Sequence, residues 1–444
     1  MCLAERRLKM ENKNKIARLK ARQVLDSDGR PALEVDVITQ GGRWGRSSSP
    51  TGNSVGKNEA VIMRDGDPRL FAGKSVYHAV ENVVNKIAPE LIGLDVTDQA
   101  TIDGLMLQMD PTPTKEILGG NAVNAVSFAV ARAAAACAEV PFYRYLAGNR
   151  TITSTFMPAF NLVNGGTYYG ITQPIQEFMV IPCNIESFSQ AVRIGVEMFY
   201  KLDEMIAKRM GVRKAVAGKY CGHGAFSADP FEIMDMLNNA AEALGYQKNV
   251  CYGLDCAASE FYDEKQGVYQ YGGQSLTRED FLNILMKLSE KYPIGFIEDP
   301  LQEEDFKGFA LACQTLESAV IGDDFLCTNI QRAKRAYAIG AMNGMIVKPN
   351  QVGTLTETIE AIDFLHTHEQ IMIASGRSGG PLDDPTTDLA VAFGGHMLKT
   401  GAPRSGERII SINDGIHIAE ELGDIKPYDV LKLKGFSRIS SLRK

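Results

Sequence analysis

Residues 293–300, PIGFIEDP, carry an apolar run into two carboxylates and a proline. The same arrangement recurs along the second half of the chain. NVCYGLDCA reaches Asp255, GFIEDP reaches Glu298, AVIGDDF reaches Asp323, GMIVKPN reaches Lys348, IMIASGR reaches Arg377 and HMLKTGAP reaches Lys399. A short apolar run bounded by polar residues reads as a strand buried on both faces. Between the runs lie segments with amphipathic helical spacing: FKGFALACQTL (306–316), NIQRAKRAYAIGA (329–341) and TLTETIEAIDFLH (354–366). Glu298, Asp323 and Lys348 follow one another at 25-residue steps, room for one strand and one returning helix. Alternating buried strands and helices predict a parallel sheet. The number of units over residues 151–444 predicts an α/β fold closed into a β/α barrel. In a barrel the strand C-termini share one mouth, so these charges converge there.

The first 150 residues read differently. ARQVLDSDGRPALEVDV (21–37) holds two β-patterned runs around the turn signal DSDGRP, as in an antiparallel hairpin. The Gly/Ser-rich segment 45–60 reads as a mobile loop, and KSVYHAVENVVNKIAPEL (74–91) and AVNAVSFAVARAAAACAEV (122–140) repeat apolar residues at helical spacing. The expectation is a small N-terminal α+β domain over 1–150 capping a catalytic barrel over 151–444. A chain of 444 residues with 45% hydrophobic content supports two such cores.

A formal net charge of −7 argues against binding a phosphate backbone. No apolar run is read as reaching the roughly 18 residues of a membrane span, and the opening MCLAERRLKMENKNKIARLK lacks a signal-type apolar segment. These features predict a cytoplasmic protein that binds neither nucleic acid nor membrane. The eight cysteines are scattered without a CxxC pair, so neither a disulfide framework nor a zinc site is indicated. Asp255, Glu298 and Asp323 at successive strand ends would repel one another unless a cation lay between them, and carboxylate oxygens suit Mg²⁺. A single acid at such a junction would be read as a helix N-cap. Three of them, with Lys348 and Lys399 at two further strand ends, point to a metal site in which a lysine of lowered pKa serves as base.

The chain resembles enolase over almost its whole length. The resemblance rests on ARQVLDSDGRPALEVDV, LGGNAVNAVSFAVARA, QEFMVIP, GLDCAASEFY, FIEDP, GDDFLCTN, VKPNQVGTLTE, SGRSGG and LKTGAPRSGER, in that order. It implies an enolase-type TIM-like barrel. It also implies that Asp255, Glu298 and Asp323 hold one Mg²⁺, and that Ser54 in PTGNSVG binds a second Mg²⁺ that arrives with substrate. Lys348 resembles the base that takes the proton α to the substrate carboxylate, Lys399 the group pairing with that carboxylate, and Arg377 and Ser378 the phosphate contacts. The substrate implied is a small phosphorylated anion, and the assembly a homodimer or higher homo-oligomer.

The sequence departs from the family where elimination is managed. N-G-G-S-H-A-G reads NGGTYYG, so Tyr168 stands for a histidine. G-D-E-G-G reads GKYCG without gaps, putting Lys219 and Tyr220 in place of an acidic pair; a gapped alternative against HGAF puts His223 there. S-H-R-S-G reads SGRSG, so Gly376 replaces another histidine, while Glu177 survives in QEFM. Hydroxide leaves poorly without an acid. Three readings follow: a diverged phosphopyruvate hydratase using Glu177 or His223; a synthase or transferase making a modified enolpyruvate, as the enolase-like carboxyphosphonoenolpyruvate synthases of phosphonate pathways do; or a non-catalytic metal-binding scaffold. The first two share enolate chemistry, and retention of the metal ligands and both lysines disfavours the third.

Overall fold

The computed structural model describes residues 12–52, 55–423 and 425–440. The chain divides into two compact units, one of residues 1–151, 348–360 and 377–393, the other of residues 152–347, 361–376 and 394–444.

In the first unit, β1 (Ile16–Leu25), β2 (Pro31–Thr39) and β3 (Trp44–Ser49) form an antiparallel sheet in that order. The β1–β2 turn is closed by Asp26 N–H donating to Arg30 O, with Gly29 at φ +73° where a side chain would be strained. Part of the stretch expected as a loop from residue 45 is therefore strand. Its composition follows from what packs on it. Helix α1 (Gly120–Ala138) lies against β2 and β3 so closely that a Cβ on Gly45 would stand 2.2 Å from Ala133 N. Only small residues fit, and Ser47 and Ser49 are buried beneath the helix-covered sheet. Contrary to the reading of the sequence, α1 is long and apolar enough to cross a membrane, but 78% of it is buried inside the protein and it serves as the core helix of this unit.

The second unit is the barrel. Its strands are β4 (Met157–Tyr168), β5 (Ile171–Pro182), β7 (Val250–Asp255), β11 (Ile294–Glu298), β12 (Ala319–Gly322), β13 (Gly344–Val347), β14 (Ile371–Ser375) and β15 (Met397–Lys399), and β15 pairs back onto β4 to close the ring. Between these lie a two-residue strand, β6 (His223–Gly224), which pairs with β4, and a small sheet of β8 (Tyr262–Asp263), β9 (Val268–Tyr271) and β10 (Gln274–Leu276). The expectation of an all-parallel sheet is corrected at one strand: β5 runs antiparallel to both β4 and β7. Tyr168 pairs with Ile171 across a two-residue turn, too short for a crossover helix.

The remaining strands return through helices such as α2 (Phe188–Met210), α3 (Pro230–Ala243), α4 (Arg278–Lys291), α5 (Phe306–Thr315), α6 (Ile330–Ala338), α7 (Leu355–Thr367) and α8 (Gly406–Glu421). Their ends are signalled locally. Ser187 caps α2 and Gly211 ends it at φ +64°, while Thr277 and Asp280 form a capping box on α4. Every residue of β7, β11, β12, β13 and β14 is buried, as strands covered on both faces require. Phe296, Ile321, Ile346, Ile373 and Met397 meet in a core shared with Phe436 and Ile439 of the C-terminal segment. Full burial of Phe296 alone contributes roughly 2–3 kcal/mol.

Candidate active site

Strand register builds the first part of the site. Glu177 on β5 lies opposite Asp255 on β7, and Asp255 lies opposite Glu298 on β11. Three carboxylates therefore stand in one row across neighbouring strands, and all three are buried. Lys399, the last residue of β15, brings its ammonium to them: Nζ donates to Asp255 Oδ2 at 3.1 Å and to Glu298 Oε1 and Oε2 at 2.8 and 2.7 Å. Glu177 Oε2 is 3.0 Å from the same Nζ, an ion-pair distance without hydrogen-bond geometry.

The electrostatics follow from burial and from this surplus of negative charge. Burial alone would lower the Lys399 pKa, but Asp255, Glu177 and Glu298 together hold it well above the ordinary lysine value. The expectation of a lowered pKa is thus corrected for Lys399, because three anions outweigh desolvation. Burial, with the neighbouring Asp255 charge, raises the Glu177 pKa against the opposing pull of Lys399.

A second group of acids lies alongside. Asp299, Asp323 and Asp324 bring carboxylate oxygens within 4.8 Å of one another. Asp299 has φ +40°, and its carboxylate accepts the N–H groups of Asp323 at 2.9 Å and Asp324 at 2.7 Å. Burial and the charges of Asp324 and Asp323 push its pKa well up. Of the expected trio, Asp255 and Glu298 take the Lys399 ammonium directly, while Asp323 adds its charge to the same ammonium and also groups with Asp299 and Asp324. Sequence reasoning passed over Asp299 and Asp324, although the acidic doublets in IEDP and GDDF were the signal. Asp255 Oδ1 also accepts the Ala257 N–H at 3.0 Å, a local turn contact ahead of the helical turn at Ala258–Phe261 rather than a helix cap. An all-oxygen, buried, anionic donor set already gathered around one cationic group fits a hard divalent cation.

The departures from the family pattern lie at the end of β4 (Tyr168), in residues 219–223 and directly after β14 (Gly376). Tyr220 is buried, and its hydroxyl donates to Gln176 Oε1 at 2.9 Å, while Gln176 Nε2 donates to Asp255 Oδ2 at 3.2 Å. Burial and the Glu177 and Asp255 charges push the phenol far above its ordinary pKa. Lys219 is exposed, with Nζ 5.1 Å from the centre of the Tyr220 ring. Tyr168, at the end of β4, accepts the Lys219 N–H on its hydroxyl at 2.7 Å. His223 is turned away from the acids. Its ring stacks on Phe199 of α2 at 4.2 Å and Nε2 lies 3.0 Å from Phe199 O, because pairing of β6 with β4 points it into the helix-facing layer. Gly376 follows β14, and its carbonyl accepts from Ser375 Oγ.

Four expected residues belong to the other unit by packing or lie outside the described residues. Lys348 directly follows β13 and precedes the short helix Pro349–Val352. Arg377 is buried and ion-paired to Glu59 at 2.6 Å, a partner sequence reasoning missed. Glu59 Oε1 in turn accepts from Gly56 N–H at 3.0 Å, and Arg30 Nη2 donates to Ser378 O at 3.3 Å. Ser54 lies outside the described residues.

Two family models match the chain: "Enolase, C-terminal TIM barrel domain" over residues 153–435 and "Enolase, N-terminal domain" over residues 16–146. The enolase of Methanocaldococcus jannaschii is 41% identical over 414 residues, covering 93% of this chain and 97% of the relative. That of Methanopyrus kandleri is 43% identical over 412 residues, covering 92% and 96%. That of Methanosarcina barkeri is 41% identical over 416 residues, covering 93% and 96%. Matched through both units and along nearly the full length of these relatives, the chain belongs to the enolase family of carbon–oxygen lyases.

Proposed function

We propose that this protein is a Mg²⁺-dependent phosphopyruvate hydratase that converts 2-phosphoglycerate to phosphoenolpyruvate and water, with a remade leaving-group side. The observation that carries this reading is the buried row of Glu177, Asp255 and Glu298 closed by the Lys399 ammonium at 2.7–3.1 Å. Asp255, Glu298 and Asp323, with Asp299 and Asp324 beside them, would hold the cation. When bound, Mg²⁺ supplies positive charge against the dianion that forms as the α-proton is lost. A second Mg²⁺ binding with substrate at Ser54 belongs to the same reading.

The chain's own groups do the rest. Lys348 takes the proton from the carbon next to the carboxylate, and Lys399 pairs with that carboxylate, a role suited to a lysine kept protonated by its surroundings. Arg377, with Ser378, holds the phosphate; its pairing with Glu59 keeps the guanidinium oriented in a buried position. Glu177, whose pKa is raised by burial and the Asp255 charge, is the group that hands a proton to the departing hydroxyl. The reading carries with it a cytoplasmic homo-oligomer. In purified protein with Mg²⁺, 2-phosphoglycerate should generate the absorbance of phosphoenolpyruvate, and chelation should abolish it. No product from the metal-loaded protein would overturn the assignment.

A synthase or transferase reading is favoured by one feature: Tyr168, Lys219, Tyr220 and Gly376 all alter the leaving-group side while the enolate-forming residues stand. It predicts exchange of the α-proton of a 2-phospho acid with solvent in the absence of net dehydration.

A further inference from the structure

The hairpin joining β4 to β5 turns through Tyr169 at φ +54° and Gly170 at φ +75°, the backbone of a two-residue turn with both central residues left-handed. A tyrosine is an unfavourable choice for such a position, where asparagine or glycine serves without strain. Both tyrosines of the tip are used in the same way. Tyr169 Oη accepts the N–H of Val216, and Tyr168 Oη accepts the N–H of Lys219, each at 2.7 Å. The Tyr168 ring packs against Gly224, where a Cβ would stand 2.6 Å from its Cγ. From below, Asn164 Oδ1 accepts the N–H groups of Tyr220 at 3.2 Å and Gly222 at 2.9 Å, and Gly218 N–H closes the turn onto Gly222 O at 2.7 Å. Residues 216–222 are thus pinned at four backbone amides by three side chains. The pinned turn delivers Tyr220 to Gln176 Oε1, and Gln176 reaches Asp255 Oδ2.

We propose that Tyr168 and Tyr169 clamp residues 216–222 so that Tyr220, acting through Gln176, is a positioning residue for the metal-binding carboxylate of Asp255. This rests on the metal-site reading above and adds to it a dependence on the hairpin tip. Outer partners that orient a ligating carboxylate change metal affinity by about 10–100-fold when removed. Phenol-to-phenyl changes keep ring packing and delete only the hydroxyl, so the fold is expected to survive.

The test uses the full chain, Mg²⁺ as the probe in titration calorimetry, and amide hydrogen exchange over residues 216–222. Tyr220→Phe should weaken Mg²⁺ binding about tenfold and leave amide protection of the segment as in the wild type. The double variant Tyr168→Phe, Tyr169→Phe should lose that protection and weaken Mg²⁺ binding by a similar factor. Adding Tyr220→Phe to it should cost little more, since the two changes act on one chain of contacts. If the wild type binds Mg²⁺ and Tyr220→Phe binds it equally well, the positioning role is wrong while the metal site stands. Unchanged protection in the double variant overturns the clamp. A wild type with no Mg²⁺ binding at all overturns the metal-site reading and the coupling with it, and that outcome is distinct from the other two.

Discussion

The two ends of the barrel spend burial in opposite ways. At the mouth where the parallel strands end, Glu177, Asp255 and Glu298 are buried with their carboxylates gathered on the Lys399 ammonium. At the other end, the C-terminal segment presents Val430, Leu433, Phe436 and Ile439 to the core, its Arg438 is matched by Glu317 and by the carbonyls of Ser289 and Ile294, and the half-buried His396 is satisfied as a neutral ring. Its Nδ1 accepts the Met372 N–H at 3.0 Å, it meets Tyr428 edge-on, and it borders a cavity of about 540 Å³ with His366 and Gln370. Buried charge weakens a fold unless each charge is matched. The contrast therefore separates the end that is built for chemistry from the end that is built to close the core.

Removing the match at the chemical end should have the largest effect. Lys399→Met takes the ammonium away from Asp255, Glu298 and Glu177 and should destabilise the metal-free protein by about 3–5 kcal/mol, read by urea unfolding in chelator. Added Mg²⁺ should restore part of that loss in the variant more than it stabilises the wild type. An unchanged urea midpoint would erase the contrast between the two ends.

The closing end should instead respond to acid. Burial, reinforced by His366, lowers the His396 pKa from 6.5 to about 4. The folded state then binds fewer protons than the unfolded state between those values, so stability is present above the unfolded pKa and drains away as pH falls from 6.5 towards 4. The gap corresponds to roughly 3 kcal/mol at most. His396→Phe should flatten the slope of unfolding free energy against pH across that window, whatever it does to the level. An identical slope would show that other groups set the acid limit.

A smaller effect sharpens the packing side of the comparison. A Cβ on Gly295 would meet the Phe436 ring at 2.2 Å, so Gly295→Ala should cost about 1–3 kcal/mol through displacement of the C-terminal segment. Away from both ends, Thr277→Ala removes the capping box of α4 and should cost about 1 kcal/mol in thermal unfolding. If it cost more than Gly295→Ala, the core account of the closing end would be misplaced.

The strand ends were legible because an apolar run cut off by a charge is a local pattern. Asp255, Glu298 and Lys399 each occupy the last position of a strand. What the sequence hid was set by contacts distant along the chain. TYYG carries no Asn-Gly turn signal, so the antiparallel β5 went unseen. WGRSSS reads as a loop by composition, although its small residues answer to the helix pressed on Gly45. Within the site, the acids could be found but not their sharing. Lys399 takes Asp255 and Glu298 together, and Asp299 gathers the amides of Asp323 and Asp324, pairings that no spacing announces. His223 was a reasonable acid by alignment and is instead held against Phe199 by strand pairing.

Central to this account is that the barrel mouth makes a carbon acid beside a carboxylate ionisable for one amine. Proton NMR of 2-phosphoglycerate in D₂O with Mg²⁺ and the purified protein reads that step directly, whether or not hydroxide then leaves. The account predicts loss of the C2 proton signal to deuterium, slowed at least about 10³-fold by Lys348→Ala and stopped by chelation. Exchange that survives in Lys348→Ala at the wild-type rate, or is missing from the metal-loaded wild type, would contradict it.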